Sequence, residues 1–163
     1  MTFNVFISYS GHDHEQSVVW RLQTLAAAQG IHVYVPKRVG FRLPSSRGSQ
    51  ALRLTERVAI ENADIVLAII TSRTDRAVEN ELAYALERKK VVIPIVYEGV
   101  QLTPLFQNFS VFRFSPFAPP GTLETQIVNY LQERKLDKER LQAAGAVIAV
   151  GLGLLLLSAV AKD

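Results

Sequence analysis

The sequence predicts an α/β domain on a five-stranded parallel sheet with helices on both faces. Three observations point there. Short, nearly unbroken apolar runs recur, FNVFISYS at 3–10, IHVYVP at 31–36, DIVLAIIT at 64–71 and a run within KVVIPIVYEG at 91–97, as strands covered on both faces require. Helical patterns of 3.6 periodicity lie between them. Strands alternating with helices imply right-handed crossovers that bring every strand into one parallel sheet.

The elements follow in order. The first strand, 3–10, ends in polar turn residues. A helix carries Val18, Val19, Leu22, Leu25 and Ala26 on its apolar stripe, and Gly30 stops it. The second strand puts Ile31, Val33 and Val35 on one face and turns His32 to solvent. Lys37 to Gln50 is a long loop rich in Gly, Ser, Pro and Arg, and loops of that length inside a compact domain are usually functional. A helix over 51–62 presents Leu54, Val58 and Ile60, and 64–71 is the most hydrophobic strand. In the next helix Val78, Leu82, Ala85 and Leu86 recur at i, i+4, i+7 and i+8, with Thr74 and Asp75 as candidate N-caps. Pro94 argues against full pairing of the fourth strand. VFRF at 111–114 is a short fifth strand, and 122–135 a last helix with Ile127, Tyr130 and Leu131 inward. Ligands in such folds bind outside the carboxyl ends of the strands, at the point where strand order reverses.

A chain of 163 residues suits one domain plus a tail. It has no cysteine, which excludes disulfides and thiolate metal sites. The net charge of +3 is spread over several segments and forms no basic arm, so no nucleic-acid partner is expected. The start of the chain reads as a strand and lacks the basic region and cleavage site of a signal peptide. Residues 143–161, AAGAVIAVGLGLLLLSAVA, carry no charge and are apolar on every side. A helix of that length spans about 28 Å, close to the ~30 Å hydrocarbon layer. Arg134, Lys135, Lys138 and Arg140 precede it and only Lys162 follows. The expectation is a single-pass C-terminal membrane anchor with the soluble domain in the cytoplasm; a helix buried in an oligomer core is the alternative. Gly145, Ala149 and Gly153 form a small-residue ladder of the helix-pairing kind. The organisation read from the sequence is a domain at 1–135, a charged juxtamembrane linker at 136–142 and a transmembrane helix at 143–161.

The candidate chemistry is sparse. His12, Asp13, His14 and Glu15 lie together, but His-x-His without a distant third ligand is unspecific and Asp13 also suits a helix cap, so no metal is expected. No Walker loop, G-x-G-x-x-G or nucleophile elbow occurs. Lys37, Arg38, Arg42 and Arg47 are cations on the long loop at the ligand end. Among the glutamates of the 76–87 helix, Glu79 has Arg76 and Glu87 has Lys90 at i,i+3 spacing. Glu81 has only Ala77, Val78, Tyr84 and Ala85 there, on a half-buried border of the stripe. Its carboxylate must find a partner elsewhere in the fold or in a ligand. A snorkelled surface glutamate is the plain reading of that pattern, and a functional one the alternative.

FISYS at 6–10, the Asp after it, the long loop after the second strand, and VENELAYA at 78–85 followed by KKVVIPI resemble the Toll/interleukin receptor (TIR) domain family over about residues 3–135. The resemblance, to a bacterial-type member with a C-terminal membrane helix, implies a flavodoxin-like sheet of order 2-1-3-4-5. It implies self-assembly with other TIR domains and gating of the site through the loop Lys37 to Gln50. Many family members cleave NAD at the nicotinamide–ribose bond with a glutamate that falls here at Glu81. NAD would then be a substrate, with no separate cofactor and with linear or cyclic ADP-ribose as product. Ser8, Tyr9, Ser10, Gly11, Arg38, Phe41, Ser72, Arg73 and Ala77 would line the substrate site. Ala77 stands where such enzymes carry tryptophan, and Ser10 and Gly11 where an arginine is common. The implied role is a membrane-bound NAD glycohydrolase of bacterial anti-phage immunity or cell-death signalling. A non-catalytic TIR scaffold and a nucleoside deoxyribosyltransferase-like enzyme are the alternatives.

Overall fold

The computed structural model describes residues 2–37, 52–72, 74, 76–101, 104–106, 109, 111–115 and 117–143. Strands β1 (Phe3–Ser8), β2 (Ile31–Tyr34), β3 (Ile65–Ile70), β4 (Val91–Tyr97) and β5 (Phe112–Phe114) alternate with helices α1 (Asp13–Ala28), α2 (Leu54–Asn62), α3 (Arg76–Glu87) and α4 (Thr122–Ala143). They form one parallel sheet in the order β2-β1-β3-β4-β5. The expected flavodoxin-like architecture is therefore present.

Alternation along each strand sorts the core into two layers. Val5, Ile7, Leu67, Ile69, Ile93 and Ile95 pack against Val18, Val19 and Leu22 of α1 and Ile127 and Leu131 of α4. Phe6, Val66, Ala68, Val92 and Val96 pack on the other face against Ile60 near the end of α2 and Val78, Leu82 and Ala85 of α3. Pro94 is accommodated because β5 pairs with β4 only at Ile95–Tyr97, so the proline lies beyond the ladder on that side and faces Ala68 on the other.

Several local expectations are corrected. His12, not Asp13, takes the extended N-cap position of α1, and Asp13 is the first helical residue. Leu25 is partly exposed, at 37%. On α2 the i,i+4 pair Leu54 and Val58 faces outward, 75% and 46% exposed, and lines a groove of ≈ 690 Å³ with Asn4, His32 and Tyr34. The opposite face buries Ile60 and Glu56, whose carboxylate accepts the Arg53 N–H at 3.1 Å and so closes the first turn. Arg76–Glu79 and Glu87–Lys90 are not ion pairs; Lys90 reaches instead to the carbonyls of Glu61 and Ala63 at the end of α2. Burial there pushes the Lys90 ammonium down from its ordinary pKa, against the opposing pull of Asp64 and Glu61.

Helix α4 is longer than its apolar pattern, continuing unbroken through 136–142. Its basic residues hold the domain: Lys135 donates to the Gln29 carbonyl at 2.9 Å, and Lys138 pairs with Asp64 at 2.6 Å. Asp64 in turn accepts the Asn4 N–H at 2.8 Å, so the end of α4 is fastened to the amino ends of β1 and β3. Among the described residues no helix is long and apolar enough to cross a membrane, and the segment 144–161 of the expected anchor lies outside them.

At its other end α4 is tied to α1 by Arg21 Nε and Glu124 Oε1, 2.6 Å apart, with the glutamate side chain almost fully buried. Arg21→Met strands that carboxylate and is expected to lower stability by about 1–3 kcal/mol, read as a lower urea midpoint at unchanged slope. Glu124→Gln, which keeps an acceptor without the charge, should cost less.

Candidate functional site

The alternation that builds the core also decides which way the strand ends point. Ser8 is in phase with Phe6 and faces the α3 layer, whereas Thr71 continues the phase of Leu67 and Ile69 and faces α1. Each meets a glutamate there. The Ser8 hydroxyl donates to Glu81 Oε2 in a short hydrogen bond. The Thr71 hydroxyl donates to Glu15 Oε1 at 2.7 Å, and the Ser10 N–H donates to Glu15 Oε2 at 2.9 Å. Two carboxylates thus occupy opposite faces of the sheet at the carboxyl ends of β1 and β3, the neighbours between which strand order reverses.

Both are deeper than the sequence implies. Glu81 is 0% exposed and Glu15 1%, so the half-buried border expected for Glu81 is corrected. The reason is its helix phase: Glu81 sits next to Leu82 and one turn from Val78 and Ala85, all buried on the same side of α3. A carboxylate at such depth is retained only where donors replace water. A groove beside α2 and a cleft of ≈ 640 Å³ near the ends of β4 and β5 are lined by other residues.

The other expected site residues fall as follows. Tyr9 is buried and its hydroxyl donates to the Pro36 carbonyl at 3.4 Å, linking the end of β1 to the chain leaving β2. Gly11 turns the chain into α1 with φ +87, a conformation that favours glycine. Ser72 is exposed and Ala77 partly buried in the first turn of α3. Arg38, Phe41, Arg73, Asp75 and all of Lys37 to Gln50 except Lys37 lie outside the described residues. Thr74 does not cap α3; its hydroxyl donates to the Thr71 carbonyl at 2.9 Å and accepts the Thr71 N–H at 3.0 Å. Among the described residues no three His, Cys, Asp or Glu side chains come together as a metal site. His12 and His14 stack on each other at 6.4 Å.

Glu15 is the residue that sequence reasoning assigned no function. The signal was present, because Glu15, Val18, Val19, Leu22 and Ala26 share one helical face and all are buried. A glutamate in phase with a core stripe needs donors from the sheet beneath it.

Ser8→Ala removes a donor from a fully buried carboxylate and is expected to cost about 1–3 kcal/mol, measured by urea unfolding. The cost should shrink in a Glu81→Gln background, where the buried group is neutral; equal costs in both backgrounds would show that the bond does not hold charge.

The solved structures of like fold include a CMP N-glycosidase from Clostridium botulinum, with 19% identity, 82% of this chain and 98% of that chain covered, and a TM-score of 0.50. A flavodoxin-like domain from Synechococcus matches with 12% identity, 84% and 99% coverage and a TM-score of 0.54. The TIR domains of the Roq1 resistosome match with 17% identity, 99% and 85% coverage and a TM-score of 0.47. No curated protein matches the chain. The family model described as TIR domain matches residues 5–124, which span β1 to the start of α4 and include both buried glutamates, and the chain belongs to the TIR domain family.

Proposed function

We propose that this protein is an NAD glycohydrolase whose reactive group is the Glu81 carboxylate. The observation that carries the reading is the enclosure of Glu81 at the carboxyl end of β1, with the Ser8 hydroxyl aiming one of its oxygens. A negative charge kept in a dry site and oriented before reaction is what stabilisation of a cationic transition state requires.

The chemistry asks little else of the protein. Nicotinamide in NAD is a pyridinium, so when the C1′–N bond breaks the electron pair neutralises the leaving ring and no general acid is needed. The ribose becomes oxocarbenium-like, and Glu81 stabilises that charge and holds the ribose hydroxyls. Water then adds to C1′ and loses a proton to the carboxylate or to solvent, giving ADP-ribose; attack by the adenine ring instead of water gives the cyclic product. Glu81 is 0% exposed, so NAD would reach it through a rearrangement of the site. Self-assembly through the loop Lys37 to Gln50 is the proposed trigger. Membrane anchoring by 143–161 would raise the local density of domains, with the TIR domain in the cytoplasm, as fits a role in anti-phage defence.

A second reading is favoured by two observations. Ala77, one turn before Glu81, supplies no aromatic ring where such enzymes carry tryptophan, and Glu81 is fully buried. A TIR scaffold, which assembles without turning over NAD, has the same fold. A third substrate class, a nucleotide with a neutral base, is suggested by the CMP N-glycosidase of like fold.

The test is consumption of NAD, with CMP in parallel, by the full chain at high density on liposomes. Wild type should consume NAD, and Glu81→Gln should lose at least about a hundredfold of that rate, the range of a lost charge-stabilising group, while retaining its unfolding midpoint. Assembly without turnover would select the scaffold, and CMP turnover alone the nucleotide reading. For the anchor, residues 1–143, which keep α4 whole, should be soluble without detergent while the full chain partitions into it.

A further inference from the structure

We propose that Glu15 is a positioning residue for Glu81, a buried clamp that ties the turn following Ser8, the hydrogen-bond donor of Glu81, to the end of β3, from which the chain leads into the helix that carries Glu81. The inference rests on the reading of Glu81 as the reactive carboxylate and adds a second residue on the other face of the sheet.

Glu15 makes two short connections. One oxygen of Glu15 accepts the Ser10 N–H, in the turn two residues after Ser8. The other accepts the Thr71 hydroxyl, at the end of β3. The backbone of Thr71 is locked to Thr74 by a reciprocal pair of hydrogen bonds, 3.0 and 2.9 Å, and Thr74 stands two residues before α3. Glu15 therefore grips the β1–α1 turn on one oxygen and the β3–α3 turn on the other. Ser8 lies two residues before the gripped Ser10, and Glu81, which it meets on the opposite face, lies on the second turn of α3, the helix that follows Thr74.

A purely structural account leaves one thing unexplained. A carboxylate that is 1% exposed is costly, and both of its donors here are neutral. Its position in the first turn of α1 offsets part of the cost through the positive end of the helix dipole. An apolar residue in phase with Val18, Val19 and Leu22 would fill the same place more cheaply. What an apolar residue cannot do is accept from two turns at once. Misplacing a reacting group by about 1 Å costs about a hundredfold in rate, and the Ser8–Glu81 contact joins two separate elements, β1 and α3.

The test uses the full chain on liposomes and reads NAD kinetics together with site-resolved amide hydrogen exchange. Glu15→Leu should lower kcat by about ten- to a hundredfold with KM nearly unchanged. Exchange should quicken at Ser10 and at the inner amides of α3, 80–83, but not in β4 or α4. Glu15→Gln should recover most of the loss, because its carbonyl accepts from Ser10 and its NH₂ donates to the Thr71 oxygen. Three results would overturn the clamp: kcat unchanged in Glu15→Leu, Glu15→Gln as impaired as Glu15→Leu, or exchange quickened uniformly across the domain. If wild type consumes no NAD, the glycohydrolase reading fails by itself. The exchange arm then decides the clamp, and unchanged rates at 80–83 in Glu15→Leu would sink it.

Discussion

Strand β1 is paired on both sides and covered on both faces, and that constraint governs where this domain can keep polar groups. From Val5 to Ile7 its side chains are 0–1% exposed and apolar. Any hydroxyl or charge along that length would lack water and lack room for a partner. The first place where polarity is tolerated is the carboxyl end, where the chain lifts off the sheet and backbone donors become free. Ser8, Ser10 and Thr71 lie there, and so do both carboxylates. The two buried carboxylates are thus located by the same packing rule that builds the core.

Much of this was legible in the sequence because it is periodic. Apolar runs located β1 to β4, and the stripe Val78, Leu82, Ala85 located α3 and singled out Glu81, whose i±3 and i±4 neighbours in the sequence carry no charge. Depth was harder to read. A helical wheel places Glu81 at the border of the stripe, but how far the border is covered depends on the strand ends below, including Ser8, 73 residues away in sequence. Glu15 was missed for a related reason. GHDHE invites a reading as a local cluster, whereas the meaning of Glu15 lies in its phase with Val18 and Leu22. Leu54 and Val58 misled in the opposite sense, since apolar residues on a short helix announce a core face that Glu56 and Ile60 in fact occupy. The order of the strands was not written in any residue; it came from resemblance and from the rules for parallel crossovers.

The two carboxylates also bear on why substitution patterns around such a site would be coupled. Glu81 and Glu15 are on different faces and do not touch, yet the turns that carry Ser8, Ser10, Thr71 and Thr74 join them through at most a few bonds. Changes at these six positions should not act independently, because each shares a partner or a turn with another. The position of Ala77, one turn before Glu81 on α3, lies outside this hydrogen-bonded set, so a small residue there alters the wall of the site without loosening its frame.

Helix α4 runs antiparallel to the strands, and its last turns are bolted by Lys135 and Lys138 to Gln29 and Asp64, at the amino end of the sheet. Whatever is joined to the chain after Ala143 is therefore attached at the pole opposite Glu15 and Glu81. The domain has a front and a back. Its fixed end can be loaded, crowded or immobilised without obstructing the carboxyl ends of the strands at the other, and a layer of such domains held by their backs would present all of those ends to the same side.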